Sequence, residues 1–121
     1  MAEKLIWSAM VRVTEGPQMA LSGSLDLEAY DKLAVTVAQG ATLKVTLAPA
    51  GSDLQCIVIN PKVPDADLSY AVGGKDIALD APHVLLGGAV ALAGTPVNLT
   101  FKNDTAVDAD IDILVGRDAT P

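Results

Sequence analysis

The sequence predicts an all-β protein, an antiparallel β-sandwich that is jelly-roll-like and built from about eight to nine short strands. Three observations predict it. Apolar and polar residues alternate through most of the chain, and period two puts successive side chains on opposite faces of a strand. Clusters of Gly, Pro, Asn and Asp interrupt that alternation about every eight to twelve residues. Half of the residues are hydrophobic, yet only 3% are aromatic, and about one residue in six is alanine. A core of Val, Leu, Ile and Ala makes thin layers, which suits two sheets packed face to face.

The elements follow in order. Residues 5–14 fit helical and strand spacing alike. The β-branched Val11, Val13 and Thr14 favour a strand or an extended arm. Glu15-Gly16-Pro17-Gln18 ends it. This divides the chain into residues 1–13, an N-terminal arm or first strand, and residues 14–121, a single β-sandwich domain.

Met19, Leu21, Gly23, Leu25 and Leu27 alternate with Ala20, Ser22, Ser24 and Asp26, a strand with a bulge expected at Gly23. Leu27 to Lys32 reads as one helical turn. Leu33, Val35 and Val37, then Leu43, Val45 and Leu47, flank Gln39-Gly40 and read as a hairpin. Pro49-Ala50-Gly51-Ser52-Asp53 is a turn.

Residues 54–59 are apolar on both faces, which predicts a central strand covered on both sides. Asn60-Pro61-Lys62-Val63-Pro64-Asp65 is a loop stiffened by its prolines. Residues 68–72 and 77–79 form a hairpin about Gly73-Gly74. Val84-Leu85-Leu86 and Ala89-Val90-Ala91-Leu92 read as short strands broken by Gly87-Gly88. After Gly94-Thr95-Pro96 comes the clearest signal. Val97, Leu99 and Phe101 alternate with Asn98, Thr100 and Lys102. Beyond Asn103-Asp104-Thr105-Ala106, Val107, Ala109, Ile111, Ile113 and Val115 alternate with Asp108, Asp110 and Asp112. The pair reads as a hairpin with one buried and one wet face.

Charge narrows the function classes. There are 15 Asp and Glu against 8 Lys and Arg, net −7, and the basic residues are scattered singly. Phosphate backbones and anionic lipid surfaces select clustered Lys and Arg, so neither nucleic acid nor membrane is an expected partner. The one cysteine, Cys56, cannot form an internal disulfide. The segment Met1-Ala2-Glu3-Lys4-Leu5-Ile6-Trp7 lacks the basic opening of a secretory signal, so cytoplasmic synthesis without a signal peptide is expected. Residues 84–93, the longest apolar stretch, are too short for a membrane-spanning helix.

Candidate chemistry is sparse. Alternate strand positions place Asp108, Asp110 and Asp112 in a row about 6.6 Å apart. Oxygen ligands in that pattern, with Asp104 and Asp118 beyond, suggest calcium, the one cofactor the sequence raises. The competing reading is a solvated strand face whose charges block unwanted strand pairing. His83 is the only histidine and would have to serve any Ser-His or Cys-His arrangement. None of the five serines lies in a Gly-x-Ser-x-Gly elbow; Ser52 sits in an ordinary turn. Cys56 lies in an apolar run, where a thiol is inert. Neither glycine pair has a phosphate-loop context. Asn98-Leu99-Thr100 matches a glycosylation sequon, but its alternation on a wet face already accounts for it. A sugar-binding platform would have to be assembled from Trp7, Tyr30, Tyr70 and Phe101.

Catalysis needs converging titratable groups, which this pattern does not supply, so the chain is not expected to be an enzyme. The surplus of apolar residues points to contact with other chains. In composition and architecture the sequence resembles the small β-sandwich proteins that make or decorate viral and phage shells. That resemblance implies a non-catalytic structural protein with a place in the virion. It would form a homo-oligomer, a trimer among the symmetric forms, or decorate a larger assembly. Leu5, Ile6, Trp7 and Met10 are the expected interface anchors. The alternative is a small ligand-binding module for calcium or carbohydrate.

Overall fold

The computed structural model describes residues 3–47, 53–72, 74–93 and 98–118. Ten strands run through them: β1 (Glu3–Arg12), β2 (Gln18–Leu27), β3 (Ala29–Val37), β4 (Thr42–Thr46), β5 (Asp53–Pro61), β6 (Asp65–Val72), β7 (Lys75–Leu79), β8 (His83–Leu86), β9 (Asn98–Asn103) and β10 (Ala109–Asp118). Eight of them form two four-stranded antiparallel sheets. The first has the order β3-β10-β5-β8, the second β4-β9-β6-β7. In both sheets the first and last strands of the series interleave with the middle ones, and the chain alternates between sheets at every step but β6 to β7. This is the jelly-roll arrangement of two Greek keys. The other two strands, β1 and β2, make a separate hairpin.

The inner faces are what period two predicts. Leu33, Ile113, Ile59 and His83 stand in register across the first sheet. Leu43, Phe101, Tyr70 and Ile77 stand in register across the second. Ile113, Ile59 and Phe101 are fully buried, and Phe101 is the largest of the fully buried side chains. β5 lies between β10 and β8, and Cys56 on its outer face is as buried as Ile57 on its inner face. The expectation of a central strand holds, but its outer face is fully covered only at Cys56, and Val58 on that face is half-buried.

Several local expectations do not hold. β9 and β10 are not a hairpin: β9 pairs β4 and β6, while β10 pairs β3 and β5 in the opposite sheet. β3 and β4 are likewise split between sheets. Both connections are arches over one end of the sandwich. The hairpin expected at β6–β7 is present, with Val72 opposite Lys75 and Gly74 at φ 80°, a conformation glycine reaches without strain. Residues 28–32 are not helical. Glu28 bends the chain and β3 begins at once. Residues 87–93 form a 3-10 helix rather than a strand, entered through Gly87 at φ 57°, and it plugs the core with Val90. Val107 precedes β10 and is exposed, not buried. The expected turn at 49–52, Gly73, and the lead-in at 94–97 lie outside the described residues.

β1 is a strand, as β-branching suggested. It pairs with β2 over its whole length, from Glu3 opposite Leu27 to Arg12 opposite Gln18. The register has no shift, so there is no bulge at Gly23. The turn closes through Val13 N–H to Pro17 O (3.0 Å) and Gly16 N–H to Val13 O (2.8 Å), with Glu15 at φ 57°. The boundary expected at residue 13 falls in this turn.

Candidate functional site

Pairing in the β1–β2 hairpin sorts its side chains into two unlike faces. One face carries the cross-strand pairs Leu5–Leu25, Trp7–Gly23, Ala9–Leu21 and Val11–Met19, with Glu3 opposite Leu27 at its base. The other carries Ile6–Ser24, Ser8–Ser22, Met10–Ala20 and the Lys4–Asp26 ion pair (3.5 Å). Pairs of this kind are the units that hold a two-stranded ribbon in register.

The apolar face is buried at one end only. Leu27 is almost fully buried, Leu25 and Gly23 are half-buried, and Leu21 and Met19 are exposed. On β1, Leu5 and Trp7 are half-buried, while Ala9 and Val11 are exposed. The base is covered by the outer face of the first sheet. A Cβ added at Gly116 of β10 would stand 2.5 Å from Leu27 Cδ1 and 2.9 Å from Cys56 Sγ. A Cβ added at Gly87, just past β8, would stand 4.0 Å from Leu25 Cδ2. Gly116, Cys56 and Leu86 face one another across β10, β5 and β8. From Leu27 to Leu25, then, β2 travels from β10 to the β8 side of the sheet. Two residues of strand cover about 6.6 Å, more than one of the two spacings of about 4.8 Å between β10 and β8, and the Leu25 side chain reaches the rest of the way. The rest of the hairpin runs past the edge strand, an overhang of about 20 Å.

Trp7 owes its place to Gly23. A Cβ at Gly23 would collide with Trp7 Cζ2 and stand 2.8 Å from Cη2, so the indole lies flat on the glycine backbone opposite it. An aromatic ring over a strand glycine shields backbone that would otherwise face water.

The four expected anchors are therefore divided. Leu5 and Trp7 lie on the apolar face; Ile6 and Met10 lie on the other, both exposed. Val11, Met19 and Leu21 extend the apolar face and were not singled out as anchors. Their signal was present as alternation in each strand separately. What joins them is the pairing of β1 with β2.

Asp110 and Asp112 lie on the outer face of β10, and Asp108 just before it, all exposed. Asp110 accepts a hydrogen bond from Thr36 Oγ1 (2.7 Å) across the β3–β10 pair. Asp108 accepts from the Gln39 backbone N–H (2.9 Å), tying one arch to the next. Asp110 and Asp112 line an open hollow of about 550 Å³ with Thr36, Asn60 and Lys62. Among the described residues no three His, Cys, Asp or Glu side chains are grouped to hold a metal ion. The side chain of Asp118 and the whole of Ser52 lie outside those residues.

His83 faces the interior from the edge strand. Its Nδ1 lies 2.8 Å from Tyr70 Oη on the opposite sheet, with the rings edge to face at 5.5 Å. Burial pushes the Tyr70 hydroxyl above its ordinary value, so it stays protonated and able to donate. Cys56 is fully buried, and desolvation raises its thiol despite a backbone hydrogen bond at Gly116. A buried protonated thiol is a poor nucleophile. Of the aromatic rings, Tyr70 and Phe101 are in the core and Trp7 is laid on Gly23, while Tyr30 is exposed on the outer face of β3.

No protein-family model matches this sequence, and no curated protein matches it either. Among solved structures the chain is similar to a solution NMR structure of a de novo designed double-stranded β-helix. The two are 18% identical, the match covers 70% of this chain and 97% of that one, and the TM-score is 0.46.

Proposed function

We propose that this chain is a non-catalytic assembly protein, in which the sandwich is a scaffold and the β1–β2 hairpin is the contact surface. One observation carries the reading. One apolar face, uncharged from the Leu5–Leu25 pair outward, is buried against the chain's own sheet at its base and continues, uncovered, past the edge of that sheet. Contiguous apolar surface that a folded chain leaves open marks a place where another molecule binds. The partner in this reading is another copy of the chain or the surface of a larger shell. The acidic balance of the rest keeps unwanted contacts apart.

The test replaces Val11 by Lys and Leu21 by Glu together. These positions are diagonal neighbours on one face, so opposite charges preserve the ribbon while making its face polar. Sedimentation velocity of the wild type should show a defined oligomer, or co-sedimentation with its shell, that the double variant loses with the sandwich melting temperature unchanged. Equal mass and equal binding for both proteins sink the reading.

A further inference from the structure

We propose that the hairpin overhang docks on the outer face of the first sheet of a second copy of this chain, across Val84, Val58 and Leu114. This rests on the assembly reading above and names its partner and acceptor.

Three observations converge. First, Val84, Val58 and Leu114 stand in register across β8, β5 and β10 on the outer face of the sheet. Val84 is 54% exposed, and Val58 and Leu114 are half-buried. The row is one step along the strands from the Gly116–Cys56–Leu86 row that Leu27 covers. A hollow of about 260 Å³ remains beside it, lined by Leu5, Leu27, Tyr30 and Leu114, with Lys4 at its rim. Each chain therefore carries a strip of the same chemistry that the base of the hairpin already packs on.

Second, the facing surfaces are apolar. The overhang face presents Trp7, Ala9, Val11, Met19 and Leu21, and the Val84–Val58–Leu114 row carries no charge of its own, with Lys32 on β3 and Asp112 on β10 flanking its Leu114 end. Copies of a chain with net charge −7 repel one another except where such neutral faces meet. The polar face of the hairpin, with Lys4, Asp26 and Arg12, is left to water.

Third, one contact covers both exposed surfaces, and its size is sufficient. An overhang about 20 Å long and about 10 Å wide presents on the order of 300 Å² of apolar surface. Exchanged reciprocally by two copies, with both sides of each contact counted, the buried area reaches about 1,200 Å², where standard interfaces begin. Arms stacked only on each other would leave the strip open.

The experiment places a photo-crosslinking benzoylphenylalanine at position 21 and mixes isotopically light and heavy copies of the full chain. Peptides joined between copies are then mapped by mass spectrometry. The expected product links position 21 to residues 58, 84–86 or 114 of the other copy. Val84→Glu, an exposed position that does not disturb the core, should lower the mass seen in sedimentation as the arm double variant does. Crosslinks from arm to arm, or full-mass oligomers of Val84→Glu, overturn the inference while oligomers that depend on the arm keep the assembly reading. A wild type that stays monomeric overturns it too, and shell binding by the arm then decides the broader reading. Oligomers indifferent to the arm variant remove both.

Discussion

Leu27 covers Gly116: its Cδ1 occupies the place where a side chain at 116 would begin, 2.5 Å from that Cβ position. Leu27 is the last residue of β2 and Gly116 lies on the outer face of β10. The contact is the hinge point at which the hairpin is fastened to the sandwich, and it works only because one partner has no side chain.

Gly116→Ala is therefore a specific probe of the fastening. The added methyl meets Leu27 and Cys56 Sγ, both of them packed, so something must shift. Overpacking of this kind costs about 1–3 kcal/mol. The expected result is a melting temperature lowered by several degrees and faster amide exchange in β2, with the opposite sheet unaffected. Hydrogen exchange resolved by mass spectrometry reads both.

Trp7 gives a second, optical probe. It is the only tryptophan and its indole rests on Gly23. Gly23→Ala must lift the ring, since Cβ would collide with it. The expected outcome is a red shift in fluorescence with about 1 kcal/mol or less lost from global stability, because Trp7 sits where the hairpin leaves the sandwich. An unshifted spectrum would mean the indole rests elsewhere.

How much of this was legible in the sequence depends on the range of the interaction that decides it. Which face of β9 or β10 is buried follows from alternation, and Phe101, Ile111 and Ile113 are where that pattern puts them. Which strand pairs with which does not follow. The arches after Val37 and after Asn103 use Gly, Asn and Asp as a hairpin turn would, and turn chemistry alone does not separate the two. The separation is made by partners far along the chain: β10 finds β3 and β5, and β9 finds β4 and β6. The site shows the same division. Trp7 and Leu5 could be seen as apolar, but their union with Leu21 and Met19 is a product of pairing.

Two buried groups set a limit on alkaline stability. Burial raises the thiol of Cys56 above its ordinary 9.0 and the hydroxyl of Tyr70 above its ordinary 10.0. Each is neutral when protonated, so the folded state holds its proton longer than the unfolded state does. Their contribution is complete below about pH 9 and is lost as pH rises through the folded-state values. Melting temperature should be flat from about pH 7 to 8.5 and fall above it. Cys56→Ala should flatten the start of that fall, and Tyr70→Phe its later part. Tyr70→Phe also removes the bond to His83, at about 1 kcal/mol across the whole range. Differential scanning calorimetry as a function of pH separates the constant loss from the titrating one.

Asn103 is the one fully buried polar side chain among the described residues, and it joins the two sheets at the arched end. Its amide donates to Val37 O (2.9 Å), at the end of β3, and to Val107 O (2.8 Å), ahead of β10. Its carbonyl accepts from Thr105 N–H (2.9 Å) and Thr105 Oγ1 (2.6 Å). Its backbone exchanges bonds with the neighbouring arch, receiving from Gly40 N–H (2.8 Å) and donating to Ala41 O (3.0 Å). An asparagine read as an ordinary turn residue thus holds both arches. Asn103→Ala leaves the buried Val37 carbonyl without this donor, while Val107 O keeps the Thr105 hydroxyl, and should cost about 1–3 kcal/mol. Asn103→Asp keeps the acceptor but turns a carboxylate towards those same carbonyls, so it should cost at least as much despite its closer shape. Thr105→Ala removes only the hydroxyl and should cost about 1 kcal/mol. If Asn103→Asp instead melts near the wild type in chemical denaturation at neutral pH, the two donated bonds are not what closes this end of the sandwich.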